Sequence, residues 1–438
     1  MRRPNILVFF VDQQRWDTCG CYGQSLPLTP NLDAMATAGT RFSHAFTCQP
    51  VCGPARAAIQ TGRYASEVGC DVNHTRLPPD APTIATLLGD AGYDTGYIGK
   101  WHLASCGPLG GPDDFRTRPV PPALRGGYDH WLAADVLEFT SHSYDGHMFD
   151  DAGERREFPP GRYRADAQTD WVLEYLDTRV EAERPFFLMA SYIEPHHQND
   201  HEHYEGPHGS RERFADFAPP GDLIGHDGDW REEYPDYLGC VHALDANLGR
   251  VRARLAETGL DRDTVVIYTS DHGSHFRTRN DEYKRSCHDG CLRIPLVACG
   301  PGFAQGGERA ELASLIDLPA TVVRAAGLEQ PTTFRGRALQ DAVTGSAQDW
   351  PDCCFAEISE SHIGRCIRTA HHTYEVSLAP DGRPHWQETF LYDNTVDPHQ
   401  QNNLVAEPLL VALRAELWDR LRTWMRSTGE IDPVLVEA

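Results

Sequence analysis

Residues 51–63 read VCGPARAAIQTGR and predict a helix that begins beside a cysteine. Pro54 lacks an N–H and has a φ suited to the first turn of a helix, whereas Gly62 is typical of a helix end. Cys52 is therefore expected just before a helix N-terminus, where free N–H groups and the helix dipole favour an anion. Arg56 adds a cation within the first turn. An exposed cysteine in such a field ionises readily and can act as a nucleophile, although most cysteines are buried structural residues.

The composition predicts a soluble globular protein with room for one large domain and a smaller one. The chain has 438 residues, of which 40% are hydrophobic and 24% are charged. Its net charge of -24 argues against binding to nucleic acids or to an anionic membrane, because both require a basic face. No apolar run approaches the roughly 18 residues that a transmembrane helix needs. We therefore expect neither a nucleic-acid partner nor a membrane partner.

The cysteines and the first residues favour a cytoplasmic location. The 13 cysteines are odd in number and follow no repeating framework, which is typical of a reducing compartment. The apolar run at residues 5–11 is short, lacks a small-residue cleavage site and leads directly into Asp12. It is therefore interpreted as a buried strand and not as a signal peptide.

Polar residues that suit a metal ion follow two of the predicted strands. Strands are predicted at residues 5–11, 94–99, 185–192 and 264–269. In open α/β sheets, binding sites form at the carboxyl ends of the strands. Asp12 is a hard oxygen ligand for a divalent cation, and Gln13 offers a carbonyl oxygen. Asp271 and His272 complete a plausible ligand set, although each residue alone is a modest signal.

A cation and an imidazole follow the strand at residues 94–99. Alternation places Lys100 and His102 on the same side of the chain. Lys100 can neutralise an anionic oxygen, and His102 can hydrogen-bond a nucleophile or an ester. A solvent-facing lysine and a structural histidine are the commoner roles in isolation, but the proximity of Cys52 and Asp12 favours a site.

Several motifs of this chain resemble those of the type I sulfatases, which belong to the alkaline phosphatase superfamily. The first is Cys52-x-Pro54-x-Arg56 followed by Thr61-Gly62-Arg63. The others are Thr29-Pro30-Asn31-Leu32-Asp33, Gly99-Lys100-Trp101-His102, Asp271-His272-Gly273, and Lys284 with Arg293-x-Pro295. The resemblance covers nearly the whole chain and is weakest at the irregular residues 104–165 and 198–232.

The resemblance implies the α/β fold of that superfamily, an alkaline-phosphatase-like sandwich with a large, mostly parallel central sheet. Residues 1–348 are expected to form this catalytic domain, and residues 349–438 a small C-terminal antiparallel sheet-plus-helix subdomain. The pattern predicts the subdomain's strands at residues 355–358, 364–369, 373–377 and 389–392, and its helix at residues 408–427. Long helices are predicted at residues 163–183 and 234–258.

The resemblance also implies a sulfuric ester hydrolase. In this family a maturation enzyme oxidises the motif cysteine to formylglycine, whose hydrated gem-diol is the nucleophile. By resemblance, Cys52 is the modified residue and Arg56 steadies it. The implied ligands of one divalent metal, Ca²⁺ by default, are Asp12, Gln13, Asp271, His272 and the modified Cys52.

The remaining catalytic roles implied by the resemblance concern the sulfate and the leaving group. Lys100 and Lys284, together with Arg56, are expected to stabilise charge on the transferring sulfate. His196 is expected to protonate the departing alcohol, with His197 as its runner-up. His102 is expected to assist the release of sulfate.

Two departures from the common pattern keep a second function open. Gln13 stands where many sulfatases have Asp, and His272 stands where many have Asn. This combination resembles phosphonate monoester and phosphodiester hydrolases, which are the alternative function on the same scaffold. One carboxylate fewer and one imidazole more also make Mn²⁺ or Zn²⁺ conceivable.

The substrate is not defined at this level. A sulfated sugar and a simple aryl or alkyl sulfate are both compatible with the motifs. The motifs are also compatible with a non-catalytic binding protein and with an enzyme in which Cys52 works as a thiol. The irregular residues 104–165 and 198–232 are expected to roof the pocket and set substrate choice, with His142, Tyr144 and His147 as candidates.

Overall fold

The computed structural model describes residues 3–303, 307–346, 349–379, 385–430 and 433–436. The fold is built around one large sheet of eleven strands. Its strands, in chain order, are β1 Asn5–Val11, β2 Thr40–Phe46, β3 Asp94–Lys100, β4 His130–Ala134, β5 Ser141–His142, β6 Asp145–Phe149, β7 Arg155–Glu157, β8 Phe186–Ser191, β9 Thr264–Ser270, β10 Leu296–Cys299 and β11 Glu308–Ser314.

The strand order in the large sheet is β11-β2-β10-β9-β1-β8-β3-β4-β6-β5, and β7 pairs with β6. The five central strands β9, β1, β8, β3 and β4 are parallel to one another. Strand β10 and the strands beyond β4 run antiparallel. The carboxyl ends of the central strands therefore meet at one edge of the sheet. This fold agrees with the predicted sandwich around a mostly parallel sheet.

Helices cover both faces of this sheet. The helices of the chain are α1 Pro30–Ala38, α2 Cys52–Thr61, α3 Ile84–Asp90, α4 Arg164–Asp177, α5 Ser210–Arg213, α6 Trp230–Thr258, α7 Asp289–Leu292, α8 Asp317–Ala325, α9 Leu339–Thr344 and α10 Val411–Ser427. Strand β1 shows why two layers are needed. Ile6, Val8 and Phe10 pack in the core with α2, α3 and α8, whereas the intervening side chains pack in the core with α1, α4 and α6.

A second sheet contains the strands β12 Cys353–Ile358, β13 Gly364–Thr369, β14 His372–Leu378, β15 His385–Asp393 and β16 Val434–Leu435. It is antiparallel except for the β15–β16 pair. Helix α10 packs on it through a core that includes Ile367, Tyr374, Leu391, Leu421 and Met425. The predicted small sheet and helix are therefore confirmed. The predicted boundary between residues 348 and 349 touches residues 347–348, which lie outside the described residues.

The region 104–165 is more ordered than expected. Strand β4 adds directly to β3, and β5, β6 and β7 extend the sheet beyond it. The sequence prediction of loops throughout this region was therefore wrong. The strands were missed because they are two to five residues long and are embedded among Gly, Pro and Asp residues.

Candidate active site

Four potential metal ligands lie together at the carboxyl edge of the central strands. Asp12, Cys52, Asp271 and His272 offer ligand atoms that all lie within 4.8 Å of one another. All four residues are fully buried. The pairing of β1 with β9 places the two carboxylates side by side, because Val11 pairs with Ser270 and an aspartate follows each of them.

The two carboxylates differ in their electrostatic surroundings. Burial raises the pKa of Asp12, but the charges of Lys100, Arg56 and Lys284, among others, outweigh it and hold that pKa well below its ordinary value. Burial and the charge of Asp12 raise the pKa of Asp271 to about 7. The Oδ2 atom of Asp271 is buried, lies 3.8 Å from Arg56 Nε and has no hydrogen-bond partner among the described residues. A cation placed between the two carboxylates would satisfy this oxygen.

His272 is oriented as a metal ligand would be. Its Nδ1 lies 2.9 Å from the carbonyl oxygen of Gly273, so Nδ1 carries the proton and donates it. The unprotonated Nε2 then faces Cys52 Sγ at 3.2 Å and Asp271 Oδ1 at 3.6 Å. Burial and the charge of Lys284 lower the pKa of His272 well below its ordinary value, so the imidazole is neutral.

Gln13 stands beside this group with a positive φ of 69°. Its amide nitrogen donates to the hydroxyl of Tyr204 at 2.7 Å, and its backbone N–H donates to Asp271 Oδ1 at 2.9 Å. Tyr204 thus faces the nitrogen end of the amide. The amide oxygen is the side-chain atom of Gln13 with lone pairs to offer a cation. Two carboxylates, an amide oxygen and one imidazole form a donor set that fits a divalent cation.

Cys52 is the first residue of α2, with Val51 as the N-cap. Lys284 Nζ donates to its Sγ at 2.8 Å, and the thiol itself donates to Asp12 Oδ1 at 3.2 Å. Burial and the charge of Asp12 raise the pKa of the thiol to about 12, against the lysines that lower it. Cys52 is thus neither exposed nor easily ionised, and the expectation drawn from the helix N-terminus does not apply to the free thiol.

Arg56 supports the carboxylates and not the cysteine. Its Nη2 donates to Asp12 Oδ2 at 3.0 Å, and its Nη1 donates to the carbonyl of Lys100 at 2.7 Å and to Ser191 Oγ at 2.8 Å. The guanidinium is 1% exposed, so it ties the ends of β1, β3 and β8 together inside the protein. Its forked donors suit this task, because one planar group reaches several acceptors.

Lys100 is fully buried between two carboxylates. Its Nζ lies 2.9 Å from Asp12 Oδ2 and 3.2 Å from Glu138 Oε2. Burial lowers the pKa of Lys100, but these two carboxylates outweigh it and raise that pKa, so the lysine keeps its charge. Glu138 was not identified in the sequence, because it lies in the irregular stretch and its partner is distant along the chain.

Lys284 and His196 form a contact pair next to Cys52. Lys284 Nζ lies 3.2 Å from His196 Nε2, and His196 Nδ1 donates to the carbonyl of His197 at 2.6 Å. Burial and the charges of Lys100 and Lys284 lower the pKa of His196 well below its ordinary value. His196 is therefore neutral and accepts at Nε2. The ring of His197 packs on Tyr283, with the ring centres 4.1 Å apart.

His102 is buried with both ring nitrogens free of hydrogen-bond partners in the described part of the chain. Its ring centre lies 5.2 Å from that of His74, and its carbonyl lies close to Gly53, next to Cys52. Strand β3 ends at Lys100 and His102 has φ 61°, so strand alternation does not set its direction. Buried unpaired nitrogens at such a place are typical of a ligand site.

A link from the small sheet reaches the start of α2. Asn73 Oδ1 accepts from the backbone N–H of Gly53 at 2.9 Å. Glu360, in the loop after β12, accepts from the backbone N–H of Asn73 at 2.5 Å and also pairs with Arg285. No sequence motif pointed to Asn73 or Glu360. They were missed because the contact joins residues almost three hundred positions apart.

Close packing of the backbone requires a glycine at position 273. A Cβ at this position would lie 2.1 Å from the carbonyl oxygen of Gly290. The backbone after β9 therefore packs directly against α7, and only glycine fits. This contact fixes the direction in which Asp271 and His272 enter the site.

The predicted roof residues lie around two cavities. His142 and Tyr144 line a cavity of about 790 Å³, and His142 and His147 line another of about 340 Å³. Glu138, the partner of Lys100, also lines the smaller cavity. The irregular regions thus line cavities that include a neighbour of Lys100, and their role in substrate choice stays a prediction.

These features identify the family. The chain belongs to the sulfatase family, whose family model matches residues 4–328, and it is an enzyme that hydrolyses sulfate esters. A second family model, described as N-sulphoglucosamine sulphohydrolase, C-terminal, matches residues 281–427.

Curated relatives span nearly the whole chain. The ulvan-active sulfatase of Formosa agariphila is 26% identical, and the match covers 98% of this chain and 82% of the relative. The uncharacterized sulfatase YidJ of Escherichia coli is 29% identical, with 97% of this chain and 88% of the relative covered.

Solved structures show the same fold. The putative sulfatase YidJ of Bacteroides fragilis is 25% identical with a TM-score of 0.86, covering 98% of this chain and 96% of its own. A protein in complex with its substrate D-glucosamine-2-N,6-O-disulfate is 23% identical, with a TM-score of 0.81 and 99% of both chains covered. The phosphonate monoester hydrolase of Agrobacterium radiobacter is 21% identical, with a TM-score of 0.76, and 97% of this chain and 96% of that chain are covered. The last two likenesses show the fold alone.

Two sequence-based expectations about location and redox state can be compared with the structure. All 13 cysteines are free thiols. Among the described residues, no helix combines the length and the apolar character that a membrane span requires. The cytoplasmic location stays a prediction.

Proposed function

We propose that this enzyme removes sulfate from a sulfated sugar, with formylglycine made from Cys52 as the nucleophile and one divalent cation as its cofactor. The observation that carries this proposal is the position of Cys52 Sγ. It lies 3.2 Å from Asp12 Oδ1, 3.2 Å from His272 Nε2 and 2.8 Å from Lys284 Nζ. An atom at this position touches both the metal-ligand group and a cation that can hold the sulfate.

The modification accounts for a cysteine that is poorly suited to act as a thiol. Its pKa of about 12 leaves almost no thiolate at neutral pH. Oxidation of Cys52 to formylglycine by a maturation enzyme would replace this thiol with an aldehyde whose hydrate supplies an oxygen nucleophile. Asp12 lies within hydrogen-bond distance of that position and can hold its proton.

The cation is proposed to be Ca²⁺, held by Asp12, Gln13, Asp271, His272 and the modified Cys52. Oxygen atoms dominate this donor set, which favours a hard cation, while the single imidazole keeps Mn²⁺ and Zn²⁺ as options for the test. When bound, such an ion would polarise the sulfate and favour the ionised nucleophile.

Two lysines supply positive charge for the transferring group. Lys284 contacts the Sγ atom of Cys52 directly, whereas Lys100 forms ion pairs with Asp12 and Glu138. Arg56 contributes through Asp12, which it holds in place. His102 presents two unpaired ring nitrogens and is proposed to bind a substrate or product oxygen.

The leaving alcohol is proposed to receive its proton from the Lys284–His196 pair. His196 is neutral and its Nε2 faces Lys284 Nζ at 3.2 Å, so the proton at this place belongs to the lysine. Lys284 Nζ would first give this proton to His196 Nε2, which then passes it to the departing oxygen, and the neutral lysine would take up a proton from solvent before the next turnover. His196 is thus proposed to contact the leaving group, as the sequence predicted, and Lys284 to supply the proton.

A sulfated sugar is the proposed substrate because of the relatives. One is described as an ulvan-active sulfatase, and one structure with the same fold holds D-glucosamine-2-N,6-O-disulfate as its substrate. The alternative is a phosphonate monoester, which Gln13 and His272 suggested in the sequence. A phosphonate monoester hydrolase has the same fold as this chain, so phosphonate cleavage is measured alongside sulfate cleavage.

The deciding experiment combines a mass measurement with turnover. The protein is produced together with a formylglycine-generating enzyme, and the peptide containing Cys52 is expected to lose about 18 Da. Sulfated monosaccharides, an aryl sulfate and an aryl phosphonate monoester are then compared as substrates. Cys52→Ala should abolish turnover, whereas Cys106→Ala, a cysteine outside the site, should retain it. An unmodified Cys52 in active protein would overturn the nucleophile, and faster phosphonate cleavage would overturn the substrate class.

A further inference from the structure

A second cluster of metal-ligating side chains lies in the loop between β8 and α5. His201, His203 and Glu205 offer ligand atoms within 4.8 Å of one another. The two imidazoles are 41% and 42% exposed, and the carboxylate is 14% exposed. The cluster shares no residue with the active site and faces the cavity of about 790 Å³.

The tautomer of His203 leaves a free lone pair directed at the cluster. Its Nδ1 lies 2.8 Å from the carbonyl oxygen of His201, and a carbonyl only accepts, so Nδ1 carries the proton. Nε2 then presents its lone pair and lies 3.5 Å from Glu205 Oε1. Two ligands of a tetrahedral zinc ion with bonds of about 2.0–2.1 Å lie roughly 3.3 Å apart, which is close to this separation.

Glu205 is held in the orientation that a ligand needs. Its Oε2 accepts from Ser143 Oγ at 2.7 Å and from the backbone N–H of Ser143 at 3.2 Å. Its Oε1 is left for the imidazoles and is in contact with His201 Nδ1. Metal-binding carboxylates are commonly fixed in this way by hydrogen bonds to the other oxygen.

The ring of His201 is also fixed from its other side. His142 stacks on it, with ring centres 4.3 Å apart and an interplanar angle of 4°. His142 in turn is held by Asp200, whose Oδ2 lies 2.9 Å from its Nε2. All the ring orientations of the cluster are therefore set by neighbours, so little ordering is required when an ion binds.

The charge of the cavity favours a cation over a sulfate group. The charged residues of its wall, apart from the histidines, are Asp145, Glu202, Glu205, Glu233, Asp236 and Arg211. Carboxylates far outnumber the single guanidinium, so an anionic ligand would be repelled. Imidazole nitrogens within such a wall select a borderline transition metal rather than Ca²⁺ or Mg²⁺.

We propose that His201, His203 and Glu205 bind a divalent transition-metal ion, with Zn²⁺ as the ion that best suits two imidazoles and one carboxylate. Solvent completes the coordination, because the two imidazoles are partly exposed. The site is separate from the active-site cation, although Tyr204 within the same loop contacts Gln13. This inference does not depend on the proposed sulfatase mechanism.

The test is a titration of the holoenzyme with Zn²⁺ in excess Ca²⁺, followed by isothermal titration calorimetry. His203→Ala should bind one equivalent of Zn²⁺ fewer than the wild type, or bind that equivalent with an affinity at least about tenfold lower. His208→Ala is the matched control, since this histidine lines the same cavity outside the cluster. Glu205→Gln, which can still accept from Ser143, provides a second variant should His203→Ala fold poorly.

Asp271→Asn identifies any Zn²⁺ that enters the active site. Loss of the equivalent in both loop variants, with retention in His208→Ala and Asp271→Asn, would support the proposal. The proposal is overturned if wild type and His203→Ala give the same isotherm. It is also overturned if the only Zn²⁺ bound is the one that Asp271→Asn removes.

Discussion

Replacement of Lys284 by methionine isolates the charge that this residue brings to the nucleophile. Methionine keeps most of the side-chain volume and removes only the ammonium group. Among the described residues, no carboxylate lies within ion-pair distance of Lys284, so the variant leaves no unpaired buried anion. We therefore expect the effect to fall on catalysis and not on folding.

The distance gives the size of the expected loss. Two unit charges at the 2.8 Å that separates Lys284 Nζ from Cys52 Sγ interact by about 6 kcal/mol at an effective dielectric constant of about 20. If about half a charge develops at that position in the transition state, roughly 3 kcal/mol is lost. This corresponds to a fall in kcat/KM of about 10²-fold, within the range known for removal of one stabilising donor.

The assay measures kcat/KM with an aryl sulfate and the thermal midpoint of unfolding for the same preparations. Arg277→Met is the control. Arg277 lies in the same segment as Lys284, but its charged side chain is 44% exposed. We expect the control to change kcat/KM by less than about threefold. A fall of less than about fivefold in Lys284→Met would refute the reasoning, as would a loss of activity that tracks a loss of folded protein.

Three further predictions concern the metal site, the buried arginine and the close packing behind β9. Because burial and Asp12 raise the pKa of Asp271 to about 7, this carboxyl destabilises the metal-free protein as pH rises from about 4 to 7. Ca²⁺ should therefore raise the thermal midpoint more at pH 8 than at pH 5, and equal shifts in scanning fluorimetry would contradict this. Arg56→Leu should lower the free energy of unfolding, measured with urea, by about 3–5 kcal/mol, because Asp12 and other buried acceptors would lose their donor. Arg56→Lys should lower it by less. Gly273→Ala should lower the free energy of unfolding by about 1–3 kcal/mol, because its Cβ would lie 2.1 Å from a carbonyl oxygen. The control is Gly89→Ala within α3, where a Cβ would meet no described atom within 4 Å, and this variant should be neutral or stabilising.

The parts of the site that could be predicted from the sequence are those attached to strongly patterned elements. Strand β1 is apolar from Ile6 to Val11 and is followed by a polar pair, so the sequence predicted both the strand and the place of Asp12. The same holds for β9 and Asp271. Pro54 and Gly62 marked the helix that begins at Cys52, although the cysteine proved to be its first residue.

The parts that could not be predicted depend on contacts across the chain. Glu138 pairs with Lys100, and Asn73 with Glu360 supports the start of α2, but each of the three lies in a short segment without periodicity. The ionisation of Cys52 was also misjudged. The helix N-terminus was visible in the sequence, whereas the burial and the nearby Asp12 that raise the pKa of the thiol were not.

The order of strands in the large sheet also determines when Cys52 is buried during synthesis. Strand β1 lies between β8 and β9, with Ile6 paired to Phe187 on one side and to Val265 on the other. The sheet edge that covers Cys52 cannot close before those later strands leave the ribosome. At about 5–20 residues per second, the roughly 200 residues between Cys52 and β9 take about 10–40 s to synthesise. If Cys52 is modified as proposed, the enzyme that modifies it would have to act during that interval, because in the finished protein the thiol is 0% exposed. The fraction of active enzyme would then be set by competition between the rate of modification and the rates of synthesis and folding.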